Sequence, residues 1–255
     1  MHTPGFGDGP TLVLAAHGSR DPRFAATTER VAAAVRARLR GITVRPAYLD
    51  LNSPTVGDVI AETAGDQVVV PLLFADGYHS SVDLPSIITE RRLPGARVTQ
   101  SPVIGTHPLA SALADRLHSA GLRDDDGVIL CAVGSSNPAA DDHVRRRARE
   151  LTHLVGRPVV TVFATRLGEN AAAVAGAVEH LRGRGAARIA LSPYFLSAGL
   201  LIERMERALD VIAPGALVAA PLGAHPDVVT AIVGHYLRSV GPGVAATVGA
   251  SLTVR

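Results

Sequence analysis

Thr11-Leu12-Val13-Leu14-Ala15-Ala16-His17-Gly18-Ser19-Arg20-Asp21-Pro22 is the stretch on which the reading of the fold turns. A run of apolar residues with no polar alternation suits a strand buried on both faces, as in a parallel sheet. It breaks off into the turn-rich stretch Gly18-Ser19-Arg20-Asp21-Pro22, which leads to a helix. Helical spacing follows at once, from Arg23 to Leu39.

The alternation continues outward from this unit. Valine- and leucine-rich runs near 43–48, 68–73 and 97–100 alternate with helix-length amphipathic stretches near 55–63, 82–92 and 108–120. From Gly127 the order starts again, with strands near 128–133, 159–163, 189–194 and 217–219. Landmarks repeat with it: Gly18-Ser19 as Gly134-Ser135, Pro71 and Gly77 as Pro193 and Gly199, His107-Pro108 as His225-Pro226. The spacing between copies is wider at Pro71/Pro193 than at Gly18/Gly134, which places an insertion around the second helix of the second copy. The expected fold is α/β: two tandem flavodoxin-like domains, each a four-stranded parallel sheet with helices on both faces. Their bounds are residues 1–122 and 123–255, with the acidic stretch Arg123 to Gly127 as linker.

The 255 residues, 47% hydrophobic and 19% charged, suffice for two such cores. No apolar run has the length of a membrane span, and Met1 to Pro10 lacks the basic and apolar segments of an export signal. A cytoplasmic protein without membrane association is expected. All 25 basic residues are arginine, yet the net charge is only +2, which argues against nucleic-acid binding. The single cysteine, Cys131, lies in an apolar run and reads as a buried core thiol.

His17 stands at the carboxyl end of the first strand, and His79 follows the third across Phe74-Ala75-Asp76-Gly77-Tyr78. With strand order 2-1-3-4 these two ends adjoin, and both imidazoles face the crevice where open α/β sheets bind ligands. Asp50, at the end of strand two, would complete a mixed nitrogen and oxygen site suited to Fe2+, Co2+ or Ni2+. A solitary histidine after a strand is ordinarily a hydrogen-bonding group, and Asp50 can equally begin a turn before Asn52-Ser53-Pro54. The second copy points to metal instead: Val133 stands for His17 and Leu201 for His79, so the scaffold is kept without its imidazoles. Asp76 is the expected support for a metal-bound ring, whereas Asp83, just ahead of Pro85, reads as a helix cap. His107 and His225, each before a proline, also read as caps.

Two motifs now stand out: His17-Gly18-Ser19-Arg20-Asp21-Pro22 after an apolar strand, and Pro71-Leu72-Leu73-Phe74 running through Gly77 and His79 to Asp83-Leu84-Pro85. Together they resemble those of the sirohydrochlorin chelatases of the CbiX and SirB type, class II chelatases, here in a long two-copy form that spans nearly the whole chain. The resemblance implies a lyase that inserts a divalent metal into sirohydrochlorin. Fe2+, for siroheme biosynthesis, is favoured as the more widely needed product, with Co2+ for cobalamin biosynthesis, or a non-catalytic metal or tetrapyrrole carrier, as the alternatives. It implies metal-binding roles for His17 and His79, making 1–122 the metal-binding catalytic domain and 123–255 a degenerate repeat. The family commonly has a glutamate four residues before the proline after strand two, where this chain has Asp50 before Pro54. A polycarboxylate substrate also implies polar groups at the crevice, for which Ser19, Arg20, Asp76, Ser80 and Ser81 are the candidates, with Arg166 and Arg204 from the second copy. No cofactor is implied beyond the substrate ion. Two fused copies already supply the pair of domains that short members obtain by dimerising, so a monomer is expected.

Overall fold

The computed structural model describes residues 9–75 and 77–241. The first repeat runs β1 (Thr11–Ala16), α1 (Pro22–Arg38), β2 (Val44–Tyr48), α2 (Val56–Glu62), β3 (Gln67–Pro71), α3 (Leu84–Arg91), β4 (Val98–Gln100) and α4 (Ala110–Ala120). The second runs β5 (Asp126–Ala132), α5 (Pro138–Val155), β6 (Val159–Phe163), α6 (Ala172–Gly183), β7 (Arg188–Pro193), α7 (Leu200–Ile212), β8 (Leu217–Val218) and α8 (Pro226–Ser239). The insertion read from the sequence is visible as a longer α6, which spans 12 residues where α2 spans 7.

The strands pair in parallel as two sheets, ordered β2-β1-β3-β4 and β6-β5-β7-β8. The central strands have the burial their composition requires: Leu12 to Ala16 in β1 and Val128 to Cys131 in β5 have no exposed surface. Burial also pushes the Cys131 thiol up to about 12, which makes it an inert core residue. The helix that follows each central strand starts alike. Asp21 accepts the Arg23 N–H at 2.9 Å with Pro22 opening α1, and Asn137 accepts the Ala139 N–H at 3.0 Å with Pro138 opening α5. Such caps stabilise a helix by about 1 kcal/mol each. His225 also caps, its Nδ1 accepting the Asp227 N–H at 3.2 Å.

Two compact units result, and they cut the chain differently from the repeats. One joins the residues up to His107 with those from Val228 onward; the other is Pro108–Asp227. Each repeat therefore gives its last helix to the other unit. In the first unit, Val13, Ala15, Ala47 and Val69 of the sheet pack against Val56, Val59 and Ile60 of α2 and Leu84 and Ile88 of α3. Helix α8 is tied to this unit by the Tyr236 hydroxyl, which donates to the Pro10 carbonyl at 2.8 Å. In the second unit, Ile129, Cys131 and Val162 pack against Val174, Val178 and Leu181 of α6 and Met205 and Leu209 of α7.

The expected linker is partly strand: Asp126 opens β5, and its buried carboxylate takes two hydrogen bonds from Arg188, both at 2.7 Å. Burial alone would raise the Asp126 carboxyl, but Arg188 and the Arg123 N–H hold it below the usual carboxylate range. Among the described residues no helix is long and apolar enough to cross a membrane.

Candidate active site

Gly18 carries the chain out of β1 with φ at +100°, and a Cβ built there would lie 1.7 Å from the Asp50 carbonyl oxygen. Only glycine permits both the dihedral and this approach. The Asp50 N–H donates to the His17 carbonyl at 3.0 Å, and the Ser19 N–H to Oδ1 of Asn52 at 2.7 Å. The loops after β1 and β2 are thereby locked together beneath His17.

His79 is presented differently. It begins a π-helical turn, His79–Asp83, in which the Leu84 N–H reaches back to the His79 carbonyl before α3 takes over. Single π turns inside helices recur at functional sites. The matching segment of the second repeat contains none, since α7 runs as regular α-helix from Leu200. The widened turn is confined to the repeat with imidazoles. Gly105 supports the loop leading to it, lying so close under Phe74 that a Cβ would sit 1.9 Å from the Phe74 carbonyl oxygen.

The two imidazoles meet as the strand order requires. Nε2 of His17 lies 3.1 Å from Nε2 of His79, with ring centroids 4.6 Å apart and ring planes at 87°. Behind them, Nδ1 of His79 faces Oδ2 of Asp83 at 2.7 Å, and Nδ1 of His17 faces the Gly18 carbonyl at 3.3 Å. At this separation the two rings can share one N–H···N hydrogen bond; with each ring proton on Nδ1, where an acceptor stands, both Nε2 lone pairs are instead open to a cation. With metal–nitrogen bonds of about 2.1 Å, two ligands at right angles lie about 3.0 Å apart and tetrahedral ones about 3.4 Å. The pair therefore already stands at ligand spacing.

The remaining candidates take varied positions. Among the described residues no group of three His, Cys, Asp or Glu able to hold a metal occurs, so Asp50 is not brought to the pair as a third ligand. Its exposed carboxylate instead accepts the N–H of Leu51 at 2.7 Å, a local turn bond. Asp76 lies outside the described residues, and Asp83 takes the supporting place expected for it. Asp83 caps no helix end, contrary to the sequence reading. Ser19 Oγ accepts the Asp21 N–H at 3.1 Å. Ser80 is buried, its hydroxyl donating to the Gly77 carbonyl at 2.9 Å and accepting the Gly77 N–H at 3.0 Å. Ser81 donates to the same carbonyl at 2.8 Å, while Arg20 is exposed. The three serines thus build the loops that hold the imidazoles.

Backbone bonding aligns the repeats at this edge. The bonds from Leu49 N–H to Ala16 and from Asp50 N–H to His17 recur from Ala164 N–H to Ala132 and from Thr165 N–H to Val133. Thr165 thus occupies the place of Asp50, and its hydroxyl turns back to the Val133 carbonyl at 2.6 Å. All three polar candidates of the first repeat are replaced in the second. Arg166 beside it is paired with Asp141 and lies over the Phe163 ring at 4.6 Å, and Arg204 is exposed.

Comparison with known proteins extends this two-copy picture. A family model described as CbiX matches residues 11–120 and again 127–238. A sirohydrochlorin cobaltochelatase of Priestia megaterium is 28% identical over 209 residues, covering 77% of this chain and 67% of that protein. A sirohydrochlorin cobaltochelatase of Methanopyrus kandleri is 35% identical over 81 residues, covering 30% of this chain and 57% of that protein. Among solved structures, SirB from Bacillus subtilis with Fe3+ superposes with a TM-score of 0.76 at 23% identity, covering 91% of this chain and 96% of that one. At that identity the likeness speaks for the fold.

Proposed function

The chain belongs to the CbiX family, and from that membership together with its facing imidazoles we propose that it inserts a divalent metal ion into sirohydrochlorin. The observation that carries the reading is the 3.1 Å separation of two Nε2 atoms, each backed by an acceptor at Nδ1. The names of the relatives from Priestia and Methanopyrus support the substrate.

The ion binds first to His17 and His79, with water filling the other positions. Two protein ligands without thiolate or a third donor hold it loosely enough to let it go. Insertion removes two pyrrole N–H protons and transfers the ion to the ring nitrogens. As the metal leaves, the two Nε2 atoms, 3.1 Å apart, can hold one pyrrole proton between them as an N–H···N hydrogen bond. Imidazole suits that exchange because its ring nitrogen can both accept and donate a proton. Asp50, exposed at the end of β2, is the further proton acceptor of this scheme. Arg20, exposed beside the pair, is the proposed partner for a substrate carboxylate.

Fe2+ is favoured by general need for its product, and Co2+ by the names of the curated relatives. A two-imidazole set discriminates little between them, so the purified protein is expected to insert both, with supply deciding in the cell. The test is metal insertion into sirohydrochlorin followed by absorption spectroscopy, at protein well below substrate. Repeated turnover that His17→Ala and His79→Ala abolish without unfolding is the expected result. A change that stops at one equivalent would mean a carrier, and wild-type rates in both variants would remove the pair from the mechanism.

A further inference from the structure

The unit that carries the imidazole pair turns three large apolar side chains outward: Leu51, 48% exposed, Tyr78, 68%, and Val82, 42%. No other large hydrophobic among the described residues of that unit is exposed to this degree. Scattered exposed hydrophobics are ordinary, but these are not scattered. Leu51 follows Asp50, whose N–H is bonded to His17, and Tyr78 and Val82 flank and share the turn of His79. All three belong to the two segments that hold the metal pair.

Leu51 adds an independent sign. Its φ of +63° lies in the left-handed region, which a branched side chain avoids and where glycine or asparagine would rest without strain. The conformation is held by the Asp50 carboxylate on the Leu51 N–H at 2.7 Å and by the Asn52 N–H on the Asp50 carbonyl at 2.8 Å. A leucine kept outward in a strained backbone beside a metal pair is the kind of outlier that marks a ligand contact.

We propose that Leu51, Tyr78 and Val82 form an apolar seat for one face of the tetrapyrrole, holding the ring plane over the two Nε2 atoms. This rests on the chelatase reading above. For the ion to change ligands, ring nitrogens must come within a bond length of about 2 Å, so the macrocycle face has to lie against whatever surrounds the pair. The rim of the substrate is charged, but its central face is flat, conjugated and apolar, and an aromatic side chain such as Tyr78 can stack on it. The hydroxyls of Ser80 and Ser81 donate within their own loop, so the central face of the ring is left to apolar contact while Arg20 serves the charged rim. These residues position the substrate; they take no part in the proton or metal exchange.

The seat is tested on the full chain with Leu51→Asn, which the left-handed backbone tolerates, Tyr78→Ser and Val82→Ser. Metal-free sirohydrochlorin is titrated by fluorescence, and Co2+ is titrated separately by visible absorption without tetrapyrrole. Each variant is expected to bind sirohydrochlorin roughly fivefold to tenfold more weakly and to raise its KM by the same factor, with kcat less affected. Co2+ binding is expected to stay at the wild-type level. Undiminished sirohydrochlorin binding in all three variants, or a parallel loss of Co2+ binding, overturns the seat while leaving metal insertion by the wild type intact. Wild-type binding that the variants lose, without metal insertion by either, keeps the seat and removes the chelatase reading. A wild type that binds no sirohydrochlorin removes both.

Discussion

Asp83 accepts a hydrogen bond from Nδ1 of His79 at 2.7 Å, on the side of the ring opposite the Nε2 that faces His17. The two residues are four apart and share one π turn. A carboxylate in this place fixes the tautomer, stops the ring from turning, and makes Nε2 a stronger donor to a metal. Replacing it should leave the fold intact, because the Asp83 side chain is 34% exposed and caps no helix end. Asp83→Ala is therefore expected to weaken Co2+ binding by roughly 10- to 100-fold, with Asp83→Asn milder because an amide oxygen can still accept from Nδ1. Absorption titration against the wild type reads this out, and an alanine variant with wild-type affinity would show the contact to be incidental.

Gly18 offers a sharper structural test, because one position is constrained twice. Its φ of +100° already penalises any side chain, and its Cβ would overlap the Asp50 carbonyl. Gly41, with φ at +83°, has nothing within 4 Å of its Cβ site and isolates the dihedral effect alone. Gly41→Ala should cost about 1 kcal/mol. Gly18→Ala should cost several kcal/mol, on the order of the larger single-residue effects, and should also weaken Co2+ binding by shifting His17. Urea unfolding of the two variants side by side checks the difference. Equal midpoints would mean that the β1 and β2 loops are not locked as described.

Strand positions and the order 2-1-3-4 were legible because a doubly buried strand is written as an unbroken apolar run, and because the turn-rich stretch Gly18 to Pro22 leads into a helix. The convergence of His17 and His79 followed from that order alone. What escaped was of another kind. An amphipathic pattern says that α4 and α8 each have a buried face, but not which sheet the face covers, so their exchange between units left no local trace. Asp83 lies at a visible i, i+4 spacing from His79, yet Pro85 invited the cap reading, and the π turn that joins acid and ring has no composition of its own. Asp50 was assigned by its strand end, while its carboxylate is decided by a neighbouring N–H.

His235 sets a pH limit on the same unit. Burial first, then the guanidinium of Arg238 and the imidazole of His107, push its pKa down from 6.5 to about 4. Between these values the unfolded chain binds the proton and the folded one does not, so stability rises with pH across this window. The contribution of the neutral ring is complete above about pH 6.5 and is lost as the pH falls toward 4. His235→Gln keeps a polar partner for Thr106 Oγ1, 3.3 Å from the native ring nitrogen, and removes the titration. Its stability loss between pH 7 and 4.5 should be smaller than that of the wild type by on the order of 1–3 kcal/mol, measured by urea unfolding at both values. Parallel losses in the two proteins would place the acid sensitivity elsewhere.

The exchange of terminal helices predicts how the chain can be divided. Helix α8 buries Val228, Val229, Ala231, Ile232, Val233 and Tyr236 in the unit that holds the imidazole pair. Each fully buried valine, isoleucine or aromatic side chain contributes roughly 1.5–3 kcal/mol. Several together equal the roughly 5–15 kcal/mol that holds a domain folded. A fragment of residues 1–122, the first repeat as the sequence delimits it, lacks α8. It retains α4, whose Ala110, Ala112, Leu113, Ala114 and Leu117 are buried in the other unit. That fragment should therefore lack a sharp thermal transition or self-associate through the uncovered apolar surface, and it should bind Co2+ weakly, although it contains both His17 and His79. Supplying residues 228–255 in trans should restore cooperative melting and Co2+ binding together. A monomeric 1–122 fragment that melts cooperatively on its own would mean that α8 is dispensable to the unit and that the sequence repeat is the folding unit after all.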